Sequence, residues 1–174
     1  SSDSSRALEF SKKFKSKNYY SNYTDLFSDP SVDVVYIASL HPFHKSHSIE
    51  AIKQGKAVLC EKPLGMNKEE VMQMIKTARD KKIFLMEALW TRFNPAFEQV
   101  NKWINDNMIG PVRYINASFS FNAQDRGVDS RVFNPKKGGG SLLDIGIYPL
   151  FLAYHFLGFP QDIKAVSYTH LTLP

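Results

Sequence analysis

Three short apolar runs, separated by stretches with helical spacing, constrain this chain more than any other feature. Residues 33–39 (DVVYIAS), 56–60 (KAVLC) and 82–87 (KIFLME) are too short for helices and apolar through most of their length. Runs of this kind suit strands buried on both faces, as in a parallel sheet covered by helices. Between the first two, residues 44–53 read as a helix stopped by Gly55. Between the second and third, Asn67 caps a helix whose third residue is Glu70, and Val71, Met74, Ile75 and Ala78 share one of its faces. Strand and helix therefore alternate, which predicts an α/β chain with a doubly wound parallel sheet and right-handed crossovers. Upstream, residues 4–14 read as an amphipathic helix and residues 22–27 as a shorter one ending at Asp29-Pro30.

The pattern changes after Met86. A helix over residues 95–105 leads to a Gly110-Pro111 turn, and residues 112–121 then alternate between two unlike faces. That alternation predicts a strand of an antiparallel sheet. A domain boundary is expected near residues 88–93. The sequence contains no solenoid-type repeat and no low-complexity segment.

Composition narrows the partners. The chain of 174 residues carries a formal charge of +5 and a pI near 9.2, but its lysines are scattered. The densest group, Lys12, Lys13, Lys15 and Lys17, reads as a solvated helix face, so nucleic acid is not an expected partner and an anionic cofactor is. Cys60 is the single cysteine, which suits a reduced compartment. The sequence reading finds no bilayer-length apolar stretch and no signal peptide in the polar start, so a cytoplasmic protein without a membrane partner is expected.

Four groups of residues are candidates for chemistry. Glu61-Lys62-Pro63 follows directly on the second strand, at the carboxyl end where open α/β sheets bind ligands. Lys62 is thus either a ligand-facing cation or a solvated lysine at a loop mouth. Residues 138–148 (GGGSLLDIGIY) join three glycines to Asp144 and Tyr148, which fall four apart on one helix face and together can handle a proton. The alternative is a simple turn followed by a core tyrosine, and Pro149 is expected to bend or restart the helix. His41, His44 and His47 edge the loop after the first strand; no carboxylate stands at ligand spacing, so no metal is expected. Trp90 and Arg92, just past the third strand, suit either a substrate-pocket wall or interdomain packing.

In this order, residues 33–39 with His44, residues 51–63 (AIKQGKAVLCEKP) and residues 138–149 resemble the glucose-fructose oxidoreductase, inositol dehydrogenase and MocA family. Within that family, His41-Pro42, residues 86–93 (MEALWTRF) and Tyr148 are most similar to members acting with NADP on dihydrodiols or D-xylose. The resemblance, over roughly residues 3–166, implies a partial Rossmann-like parallel sheet in residues 1–90. It implies that residues 91–166 begin an α/β substrate and dimerisation domain with a mostly antiparallel sheet. It further implies hydride transfer to or from a hydroxyl carbon, with Lys62, Asp144 and Tyr148 catalytic and Trp90 and Arg92 against a small-molecule substrate. Ser2, Arg6, Ser39, His41, His44, Glu61 and Lys62 would bind NADP, with NAD also possible. Hydroxyls and an arginine at Ser2 and Arg6, without a well-placed acid, favour the 2′-phosphate. The Lys62-Pro63 bond is expected to be cis, and the full-length protein a homodimer. Dehydrogenation of another sugar or cyclitol, or a non-catalytic chain, are the alternatives.

No G-x-G-x-x-G occurs in the sequence, so the family's first strand and glycine-rich loop are expected upstream of Ser1. Residues 167–174 (SYTHLTLP) are expected to fit no family element and read as a non-native tail. Residues 1–166 expressed alone should bind NADP far more weakly than the full-length protein, because the amides that hold a pyrophosphate are not among them. Titration showing tight binding with turnover would overturn this.

Overall fold

The computed structural model describes residues 3–166. Strands β1 (Val34–Ile37), β2 (Ala57–Glu61) and β3 (Leu85–Ala88) form one parallel sheet in the order β1-β2-β3. Val35 pairs with Val58 and Cys60 with Glu87, so the strand ends line up along one edge. Helix α3 (His44–Lys53) crosses from β1 to β2, and α4 (Lys68–Lys81) from β2 to β3. Strand and helix alternate around one parallel sheet, as the sequence predicts.

Local chemistry explains the element ends. Helix α1 (Ser4–Phe14) is capped by Asp3, whose carboxylate accepts from Arg6 N, and α2 (Tyr23–Ser28) by Asn22 accepting from Asp25 N. Asn67 Oδ1 accepts from Glu70 N at the start of α4, as the sequence predicts; the Glu70 carboxylate reaches Met66 N instead of closing the box on Asn67. The third strand begins later than expected because Lys82 adopts a left-handed conformation (φ 55°) and Ile83 N donates to Ala78 O, which extends the helix cap.

The core lies between the sheet and one helical layer: Phe27, Val35, Ile37, Ala51, Ile52, Val58, Cys60, Met74 and Ala78 pack together. Cys60 is fully buried, and burial pushes its thiol up to about 11. The expectation of strands buried on both faces fails at β1, where Val34 and Tyr36 are 58% and 55% exposed. Among the described residues, helices cover that strand on one side alone.

After β3, a 3-10 turn (Trp90–Phe93) leads into α5 (Pro95–Asn105). Phe97 of α5 packs with Leu89 and with Phe151 of α6 (Ile147–Leu157) in a second, smaller core. Residues 112–121 form no strand among the described residues, so the expected antiparallel sheet is not formed there. A strand persists through ladder hydrogen bonds, and no described segment supplies a partner. Residues 167–174 lie outside the described residues.

Pro135–Leu157 is long and apolar enough to cross a membrane by length and composition, contrary to the sequence expectation. Its backbone is not one straight helix. Gly138 (φ 74°) and Gly140 (φ 119°) interrupt it, a π-turn occupies Leu142–Gly146, and the α-helical part is the 11-residue α6. At 1.5 Å per residue that segment reaches about half of a hydrocarbon core of ~30 Å.

Met74 is fully buried in the main core. Met74→Ala should therefore destabilise the fold by about 2–5 kcal/mol through lost transfer energy and a cavity. Urea unfolding measures this, and a midpoint equal to that of the unmodified protein would contradict the assigned core.

Candidate functional site

Strand β2 delivers Glu61 and Lys62 to the carboxyl edge of the sheet, and the Lys62-Pro63 peptide bond is cis, as expected. The Lys62 ammonium crosses to the segment before α6. Its Nζ donates to Asp144 Oδ1 at 3.2 Å and also to the Asp144 backbone carbonyl.

Asp144 sits in the π-turn Leu142–Gly146, not in the regular helix expected from Ser141. Its side chain is 6% exposed and receives a second cation, with Arg131 Nη1 3.0 Å from the same Oδ1. Asp144 Oδ2 is buried and has no hydrogen-bond partner among the described residues. Burial opposes ionisation here, but the hydrogen bonds and charges of Arg131 and Lys62 outweigh it and hold the carboxyl below its ordinary value.

Tyr148 lies one turn further on. Lys62 Nζ stands 5.1 Å from its ring centroid, a cation-π distance. Its hydroxyl accepts a hydrogen bond from Trp90 Nε1 at 3.0 Å, and the Phe119 ring packs 4.8 Å from its own. Residues 62, 90, 119, 144 and 148 therefore converge from four segments of the chain.

The loop after β1 closes the other side. His44 is fully buried, with Nδ1 2.8 Å from the Pro63 carbonyl oxygen and Nε2 3.0 Å from that of Ser39, so one ring ties the ends of β1 and β2 together. His41 Nδ1 lies 2.9 Å from the Gly138 carbonyl oxygen, and burial lowers the His41 pKa. Gly138 needs its missing side chain: φ is 74°, and a Cβ there would stand 2.6 Å from His41 Cβ. The glycine run thus packs against the β1 loop across the junction between the two cores.

A cleft of about 790 Å³ opens between these parts, lined among others by Arg6, Ser39, His41, His44, Glu61, Lys62, Arg131 and Asp144. Glu61 accepts a hydrogen bond from the Tyr36 hydroxyl, which pushes that phenol up to about 12. Trp90 reaches the cluster through Tyr148. Arg92 does not: its guanidinium lies 5.2 Å from the Phe151 ring centroid, in a separate groove with Leu85 and Met86. It packs over that aromatic ring and lines that groove rather than the cleft, the packing alternative of the sequence. Ser2 lies outside the described residues. Arg131, Phe119 and Lys137 escaped the sequence reading. Arg131 and Lys137 do stand in a Pro/Gly/Asn-rich loop, the one local signal available. Among the described residues no three His, Cys, Asp or Glu side chains group as a metal site requires.

A family model described as an oxidoreductase family with an NAD-binding Rossmann fold matches residues 1–89, and a GFO/IDH/MocA C-terminal domain matches residues 97–173. The chain is 41% identical over 172 residues to trans-1,2-dihydrobenzene-1,2-diol dehydrogenase of Mus musculus, covering 98% of this chain and 51% of the relative. It is 42% identical over 174 residues to the protein of the same name in Homo sapiens, again covering 98% of this chain and 51% of the relative. It therefore spans about half the length of the curated relatives it matches. Among solved structures it resembles a 3-ketoreductase of Actinomadura kijaniata in complex with NADP and TDP-benzene, at 32% identity and a TM-score of 0.83, covering 91% of this chain and 48% of that one.

The lowered Asp144 carboxyl makes stability depend on pH. Its folded value lies below the unfolded one of about 3.9, so the contribution is complete above that pH and is lost as pH falls through the folded value. Asp144→Asn should flatten the acid limb of a pH-dependent unfolding series. An unchanged acid limb would show that the ion pairs add nothing to folding.

Proposed function

The chain belongs to the GFO/IDH/MocA oxidoreductase family, and from that premise we propose that the protein carrying it is an NADP-dependent dehydrogenase. It would transfer a hydride between the nicotinamide and a hydroxyl-bearing carbon of a dihydrodiol or a sugar such as D-xylose. The single observation that carries this reading is the Lys62 ammonium, tied to buried Asp144 and held 5.1 Å from the Tyr148 ring beside a cleft at the strand ends.

The residues present fit a dinucleotide on their own chemistry. Ser39, His41 and Lys62 stand at the carboxyl ends of β1 and β2, the position ligands take in open parallel sheets. The buried, unpartnered Asp144 Oδ2 fits a hydrogen-bond donor on a bound molecule. Arg6 on the rim supports NADP over NAD, because a 2′-phosphate is matched by a cation. When bound, the cofactor supplies the hydride acceptor. NADP in the similar 3-ketoreductase structure supports the same assignment.

The chain's own residues then handle the proton. As the substrate C–H bond gives up its electron pair and the C=O bond forms, the hydroxyl proton passes to the Tyr148 oxygen. Two groups face the tyrosine that accepts it: the Lys62 ammonium beside the ring and Trp90 Nε1, which donates a hydrogen bond to its oxygen. Asp144 fixes the ammonium through two oxygens, leaving Lys62 as the polarising group and Tyr148 as the base. The Trp90 and Phe119 rings flank Tyr148 and suit a ring-shaped substrate, whether cyclic diol or pyranose. The dihydrodiol dehydrogenase relatives support the diol. A second copy of the chain is the proposed partner, supported by the exposed apolar side chains Ile109, Tyr114 and Ile163.

In the protein that carries this chain, Lys62→Met should lower turnover by about 10²–10⁴-fold, the usual worth of a positioned proton-transfer group. NADP binding should remain measurable by fluorescence titration. Turnover equal to that of the unmodified protein would return Lys62 to a structural lysine.

A further inference from the structure

We infer that Arg131 is a positioning residue that acts through the Asp144 carboxylate to set the net positive charge Lys62 presents to Tyr148. The inference rests on the proposed proton path and adds a residue to it. Arg131 Nη1 and Lys62 Nζ lie 3.0 Å and 3.2 Å from one and the same oxygen, Asp144 Oδ1. Two cations on one carboxylate leave the trio with a net charge of +1. Without the arginine, Lys62 and Asp144 would form a neutral pair, and the positive field at the Tyr148 ring would largely cancel. The guanidinium is also the member of the trio whose charge is permanent.

The loop around Arg131 is built to seat it. Asn134 N donates to Ser130 O at 2.9 Å, Gly139 N to Asn134 O at 3.0 Å, and Gly140 N to Val132 O at 2.8 Å. A Cβ on residue 139 would stand 2.9 Å from the Arg131 carbonyl oxygen and 2.8 Å from both Asn134 N and O. Gly139 therefore serves close folding of this loop on itself, which aims Arg131 at Asp144. The Arg131 side chain remains 48% exposed, so solvent softens its field without removing it.

Other charges face the same place. Glu61 and His41 adjoin the trio, and Arg6, His44, His47 and Lys137 line the cleft. They are common to every variant compared, so a difference between variants isolates the charge at position 131.

The test is the pH profile of kcat for alcohol oxidation by the protein that carries this chain, with Arg131→Gln, Arg131→Lys and Lys62→Met. Losing a positive charge makes a nearby proton harder to remove, whichever of Tyr148 or Lys62 releases it. The limb on which the base deprotonates should thus move up by about one pH unit in Arg131→Gln, a loss of about tenfold below the limb and little above it. Arg131→Lys keeps the charge and should keep the limb in place. A uniform fall at all pH, an unmoved limb, unfolding of Arg131→Gln by circular dichroism, or an equal shift in Arg131→Lys would each assign the arginine to structure and overturn the inference. Full turnover in Lys62→Met would instead overturn the proton path itself.

Discussion

One buried carboxylate, shared by cations from two other segments, fixes how the parallel sheet and helix α6 stand to each other. Lys62 comes from the end of β2, Asp144 from the turn before α6, and Arg131 from the loop between. Each carries a charge that is costly to strip of water, and the two cations together hold the Asp144 carboxyl below its ordinary value against its burial. Such a buried pair adds little net stability against an apolar replacement, yet it tolerates few alternative geometries. Its worth lies in specifying an arrangement. Around it stand neutral contacts as well: His41 against Gly138, Trp90 against Tyr148, and Phe97 against Phe151.

The cleft follows from that constraint. Strand ends in a parallel sheet leave loops that splay outward, and here two of those loops are drawn together by the His44 ring between Ser39 and Pro63. The glycine run then approaches from the second core until a single β-carbon would not fit. Apolar packing alone would leave such a junction free to slide. Charge and close backbone contact fix it.

Much of this was legible in the sequence where the signal is local. The spacing of Val71, Met74, Ile75 and Ala78 and the Asn67 cap gave α4 its face and its start; the residue after β2 gave Lys62 its position at a ligand edge. Asp144 and Tyr148, four apart, were also readable, although the intervening turn is wider than an α-helix. What sequence spacing does not encode is partnership across distance. Arg131 stands 13 residues from Asp144 with no periodic relation to it. Residues 112–121 alternate as a strand does, but alternation describes faces and not the neighbour that a ladder needs. The exposure of Val34 and Tyr36 likewise depends on which layers cover β1, and composition does not report that. Arg92 stands two residues after Trp90 but turns to Phe151, because residues two apart in a 3-10 turn point different ways.

The π-turn at Leu142–Gly146 gives the site an unusual sensitivity. A π-turn amounts to one residue inserted into an α-helical ladder, and each residue rotates a helix by about 100°. Asp144 stands within that inserted register while α6 continues from it. The alignment of the carboxylate with Lys62 is therefore written in the number of residues between Gly140 and Ile147 as much as in their identity. Single-residue deletions in this stretch, which restore an ordinary helix and leave every side chain chemically intact, would turn Asp144 away from its cations. For lineages diverging from this chain, indels here would be purged more strictly than most substitutions at the same positions.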